Sequence, residues 1–135
     1  MKIKLLYLLI TLFILQSCSG TIRFSSVAQP EDKSTYQSGD VFLGLASFYS
    51  DEFEGRQTAN GEIYDKNKYT AAHKTIAFGT KVKIRNLQNN LTTIVIINDR
   101  GPFVPGRVID LSRAAAEQIG MIQQGVVEVE ITIIE

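Results

Sequence analysis

The sequence predicts a mainly β fold, a small closed barrel carrying one short helix. Three observations lead there: five short apolar segments separated by turn residues, strict apolar/polar alternation in two of them, and a single helix-forming stretch between start and stop signals. A length of 135 residues, an apolar share of 44% and 14 basic against 14 acidic residues fit one compact domain. With no charge excess to attract a polyanion, nucleic acid is not an expected partner.

Residues 1–17 read as a signal peptide. Lys2 and Lys4 precede an apolar run from Leu5 to Leu15, the charge order and length of a secretory signal and too short for a good membrane span. The run ends in "LQSC", which resembles the lipobox of bacterial lipoproteins, with Gln16 a less usual occupant. Cleavage there would leave Cys18 as the lipidated N-terminus, a membrane anchor made of lipid rather than helix. The mature chain would then have 135 − 17 = 118 residues and 12 basic against 14 acidic ones, a formal net charge of −2. Cys18 is the single cysteine, so the folded domain is expected to have no disulfide, thiol nucleophile or thiolate metal site. From there to about Asp40 the Ser, Gly, Asp and Gln content reads as a flexible tether, leaving residues 41–135 as the folded domain.

The expected strands are "VFLGLASFY", "YTAAH", "TKVKIRN", "LTTIVIIN" and "VVEVEITII". Val82 and Ile84 alternate with Lys81, Lys83 and Arg85, and Val127, Val129, Ile131 and Ile133 alternate with Glu128, Glu130 and Thr132, so each of these strands has one wet face. Ile94 to Ile97 is an unbroken aliphatic run, expected of a strand buried on both sides, and it delivers Asn98 and Asp99 to the edge of the core. Ser112 is a good N-cap, "RAAAEQI" a good helix former and Gly120 a good stop, with Leu111, Ala115 and Ile119 expected to face inward.

Few ionisable groups sit in turn-like settings: Glu62, Asp65, His73, Asp99, Arg100, Arg107 and Asp110. Asp99, in "NDRGP", has two readings. One is a turn residue whose carboxylate accepts backbone N–H groups while Arg100 pairs nearby acids. The other is a general acid, suited to that task by partial desolvation at the lip of a buried strand. Asn60-Gly61 is a turn pair presenting Glu62 and Asp65, which as loop acids are ordinarily just solvated. His73, the lone histidine, lacks the companions a zinc site needs and reads as a structural hydrogen-bonder. Arg107 and Asp110 read as an ion pair locking the loop from Gly101 to Gly106. No metal or cofactor is expected.

The blocks "GLASFYS", "GRQTANGEIYD", "TAAHKTIAFGTKVKIRNL" and "NDRGPFVPGRVIDLSRAAAEQIGM", in this order, resemble the rare lipoprotein A family, septal-ring-type lytic transglycosylases. The resemblance covers nearly all of Gly44 to Glu135. It implies a six-stranded double-psi β-barrel with one or two short helices. It also implies an enzyme that cuts peptidoglycan between N-acetylmuramic acid and N-acetylglucosamine without water, leaving a 1,6-anhydro end. By the same resemblance Asp99 matches the catalytic acid, and Glu62, Asp65 and His73 match polar residues of the same groove. Phe48 and Ser50 stand where the family often has Trp and Gly, and Ala77 where proline is common. The expected partners are glycan strands and, through Cys18, a membrane; Ser19 argues against inner-membrane retention, so a monomeric, periplasm-facing lipoprotein of a Gram-negative outer membrane is expected. The competing class is a non-catalytic, expansin-like wall binder.

Overall fold

The structure, a computed structural model, describes residues 36–135. The signal peptide, Cys18 and most of the expected tether lie outside the described residues. Six strands, β1 (Val41–Phe48), β2 (Thr70–His73), β3 (Lys81–Asn86), β4 (Thr92–Asp99), β5 (Arg107–Leu111) and β6 (Val127–Ile133), are joined by a 3-10 turn at Asp51–Phe53 and one α-helix, α1 (Arg113–Gln118). They close in the order β1-β5-β2-β4-β3-β6. β1 with β5 and β2 with β4 run parallel, and the other four pairings are antiparallel.

Closure leaves an inside and an outside, and the alternation of each strand decides which residue goes where. Val82, Ile84, Val95, Ile97, Val127, Val129 and Ile131 all turn inward and are fully buried or nearly so. Ala115, Ala116 and Ile119 of the α1 segment complete the same core. The Ser112 hydroxyl accepts from Ala115 N at 3.3 Å, capping the helix as its position before "RAAAEQ" predicts, and Gly120 takes the left-handed conformation that ends it, at φ +66°.

Three expectations are corrected. The Ile94 to Ile97 run is not buried on both sides: Val95 and Ile97 are inside, whereas Ile94 and Ile96 are 53% and 42% exposed. Among the described residues no helical layer covers Ile94 and Ile96, so the run obeys the period of two like any barrel strand. Arg107–Leu111, absent from the five strands expected, forms β5, so Leu111 faces inward as expected but as a strand residue. This strand has only five residues and mixes charge with aliphatics, so it carries no readable period. Finally, Tyr36–Asp40 are held against the barrel: Gly39 N donates to Ile133 O at 2.9 Å, the Ser38 hydroxyl donates to Ile134 O at 2.6 Å, and Tyr36 packs on Phe42 and His73. Their polar composition hides bonds that only the end of β6 supplies.

Each parallel pair contains one register shift. In β1/β5, Leu45 is opposite Arg107 but Ala46 is opposite Ile109, leaving Val108 extra. In β2/β4, Ala71 is opposite Ile97 but Ala72 is opposite Asp99, leaving Asn98 extra. An extra residue reverses the facing of everything after it, which is how bulges re-aim side chains beside functional sites. Room for the bulged Val108 comes from Gly44, where an added Cβ would lie 2.4 Å from Val108 Cγ2.

Candidate active site

The two shifts set up one row across four strands. Asp99 of β4 and Asp110 of β5 are both opposite Ala72 of β2, and Asp110 is opposite Ser47 of β1. Residues directly opposite one another share a face. Ala71 belongs to the core, so this row lies on the other side of the sheet, with the small, buried Ala72 between the two aspartates. Both aspartates line a groove of about 550 Å³, together with Phe48, Tyr49, Arg56 and Arg107, with Phe53 and Phe103 also on its walls. Phe103 is 81% exposed. Flat apolar rings beside carboxylates and guanidinium groups suit a sugar, whose faces are apolar and whose edges carry hydroxyls. A second hollow of similar volume, at Tyr69, Lys83, Thr92, Thr93, Ile94 and Gln118, has no carboxyl group in its lining.

Asp99 is held by three donors. Its Oδ1 accepts from Ala59 N and Arg100 N, both at 2.8 Å, and its Oδ2 accepts from the Tyr49 hydroxyl at 2.6 Å. The Ala59 donor comes from the Asn60-Gly61 turn, closed by Thr58 N to Glu62 O at 2.7 Å and docked on β4 by Asn60 N to Asn98 O at 3.2 Å. Tyr49 is wedged between Phe53 and Tyr64, at ring-centroid distances of 5.6 and 4.6 Å. Burial, then Asp99, then Asp110 hold its hydroxyl well above the ordinary phenol range. Asp110 accepts from the Ser47 hydroxyl and pairs with Arg107 at 2.6 Å. These two are three residues apart, and the bulged Val108 between them puts both on the groove face.

Of the other residues expected at the site, Glu62 is exposed and its Oε2 accepts from Asn98 Nδ2 at 3.0 Å, one residue from Asp99. Asp65 caps the turn before β2, its Oδ1 accepting from Asn67 N at 2.9 Å. His73 is 5% exposed. Its Nδ1 accepts from Thr75 N and Ile76 N at 3.1 and 3.0 Å, which makes it the neutral tautomer with the proton on Nε2. Burial, then the Arg100 and Lys74 charges, lower its pKa to about 4. Glu62, Asp65 and His73 are therefore not among the groove-lining residues, whereas Asp99 is. Arg100 pairs carbonyls rather than acids: its Nη1 donates to Ile76 O and His73 O at 2.9 and 3.2 Å, and its guanidinium lies 3.8 Å from the Phe78 ring centroid. The groove residues that the sequence did not single out include Tyr49, Phe53, Arg56 and Phe103; Asp110 and Arg107 are paired as expected, but in the groove wall. Among the described residues no cluster of three or more His, Asp, Glu or Cys side chains is placed to hold a metal.

A closed six-stranded double-psi barrel with a carboxylate presented in an open, aromatic-walled groove defines the class. Within it, the family described as lytic transglycolase matches residues 41–131, and the chain belongs to that family. Its relatives include a protein of Pasteurella multocida named endolytic peptidoglycan transglycosylase RlpA, 56% identical over 98 residues, covering 73% of this chain and 33% of the relative. A protein of the same name from Helicobacter pylori is 51% identical over 96 residues, covering 71% and 31%. The chain thus spans about a third of the length of these relatives. Among solved structures, the Streptomyces papain inhibitor (TM-score 0.60, 22% identity, covering 73% of this chain and 97% of that one) and a Clavibacter michiganensis expansin (0.57, 18%, 71% and 51%) share the fold.

Proposed function

We propose that the chain is a peptidoglycan lytic transglycosylase that cleaves between N-acetylmuramic acid and N-acetylglucosamine and leaves a 1,6-anhydro end. The observation that carries this reading is Asp99, a carboxylate oriented by three donors in the wall of an open groove that also carries aromatic rings. The names of the family relatives, endolytic peptidoglycan transglycosylases, supply the substrate class.

The chemistry needs one acid that becomes a base. Asp99 gives its proton to the glycosidic oxygen as the C1–O bond breaks. The sugar's C6 hydroxyl then attacks C1 and returns its proton to Asp99, which ends the cycle as it began. The attack is intramolecular and gains from high effective molarity, so no second carboxylate at the fixed separation of a hydrolase pair is required. Asp110 and Glu62 lend negative potential to the oxocarbenium-like transition state, Asp65 holds the turn that leads into β2, and His73, through its carbonyl, positions Arg100 and through it Asp99. Lipidation at Cys18 after removal of residues 1–17, with the segment from there to Tyr36 as the link to the barrel, would hold a monomer at the periplasmic face of a Gram-negative outer membrane.

The test is mass spectrometry of the products formed from intact and peptide-stripped peptidoglycan. Anhydromuramyl ends are expected, and Asp99→Asn should abolish them while glycan binding persists. Binding without products in the unaltered protein would leave the expansin-like binder instead.

A further inference from the structure

The groove contains a hydroxyl that the reaction above does not use. Asp99 Oδ1 is occupied by two backbone N–H donors, and a proton placed there would displace one of them. Oδ2 accepts from the Tyr49 hydroxyl alone, which leaves it a second lone pair. Tyr49 is itself fixed: its N donates to Leu111 O at 3.0 Å, and its ring is clamped by Phe53 and Tyr64.

We propose that Tyr49 is the positioning residue of Asp99: its hydroxyl makes Oδ2 the oxygen that carries the transferred proton and holds that oxygen at one place in the groove throughout the cycle. The inference rests on the acid/base reading of Asp99. A phenol donates to the ionised carboxylate and can turn its lone pair toward the protonated one, so the contact survives both proton transfers. The other charged or titratable groups around this pair are Arg100 just after β4, Arg107 and Asp110 on β5, His73 on β2, Arg56 beside Phe53, Tyr64 beneath Tyr49, and Glu62 through Asn98. None of these side chains makes a hydrogen bond to Asp99 Oδ2.

The experiment compares the full chain with its Tyr49→Phe variant, which keeps the packed ring and removes only the hydroxyl. Two readouts are taken: pH–rate profiles for release of anhydro ends, and titration of the Asp99 carboxyl by carbon-13 NMR, assigned with Asp99→Asn. Tyr49→Phe is expected to lower kcat by roughly tenfold or more with KM within about twofold. The alkaline limb of the profile and the Asp99 titration should both move to higher pH, because the ionised form has lost a donor. In the unaltered chain the Tyr49 hydroxyl proton should appear as a slowly exchanging low-field resonance that shifts when Asp99 titrates, a readout that does not depend on the variant folding. An unmoved Asp99 titration, or a hydroxyl proton indifferent to it, overturns the proposal. A fall in activity with the alkaline limb unmoved also overturns it, since a merely structural role would do the same. If the unaltered chain releases no anhydro ends, the lytic reading fails, and the NMR titration still decides whether Tyr49 controls Asp99.

Discussion

At the scale of single residues, the buried histidine makes stability depend on pH. His73 accepts two backbone N–H groups at Nδ1 and packs edge-on against Tyr36 and Phe42. Its pKa is about 4 folded against about 6.5 in an unfolded chain. The folded form therefore binds fewer protons between those values, and unfolding becomes easier as pH falls through that window. The stability at stake is about 3 kcal/mol, present in full above pH about 6.5 and gone below about 4. Urea titrations from pH 7.5 to 4 should show that slope. His73→Asn, whose amide oxygen can accept the same two donors, should flatten it. A slope unchanged in the variant would put the proton uptake elsewhere.

Between residue and barrel, the strands owe the groove to one missing side chain. Gly44 on β1 is where Val108 of β5 bulges, with an added Cβ meeting both of its methyl groups at 2.4 and 2.6 Å. Valine is branched at Cβ and has little freedom to swing aside. Gly44→Ala should therefore cost about 1–3 kcal/mol. It should also disturb the register that puts Arg107 and Asp110 on one face, so glycan affinity should fall by more than the lost stability explains. Chemical denaturation with glycan-binding isotherms at a temperature where the variant remains folded would separate the two effects. Full affinity in a destabilised variant would show that the bulge serves packing alone.

For the whole molecule, closure matters more than any element. β1 is paired on one side with β5 and on the other with β6, and β2 with β4 and β5, so every seam joins distant parts of the chain or depends on one that does. No contiguous segment has both of its edges satisfied alone, and the barrel should unfold as a unit. Far-UV circular dichroism and tyrosine fluorescence should report one coincident transition, with refolding in milliseconds to seconds, as expected for non-local topologies. Separated midpoints would mean that the β3–β4 hairpin and its neighbours keep an independent structure.

How much was legible follows from what is local. Alternation in "TKVKIRN" and "VVEVEITII" specified which side chains enter the core, because period two is a property of the strand itself. Ser112 and Gly120 bounded the helix for the same reason: caps act within one turn. Asp99 could be singled out because it ends an aliphatic run before Gly and Pro. Ile94 and Ile96 misled because an aliphatic residue reads alike whether its strand face is covered or bare. Strand order, the two register shifts and the meeting of Tyr49 with Asp99 across 50 positions were decided only by the tertiary structure. Inter-strand hydrogen bonds are made by backbone groups that every residue possesses, so side-chain identity does not announce which strand will be beside which. The sequence by itself determined which alternating side chains enter the core, where the helix lies and which carboxyl group ends the aliphatic run; closure of the barrel determined what that carboxyl group touches.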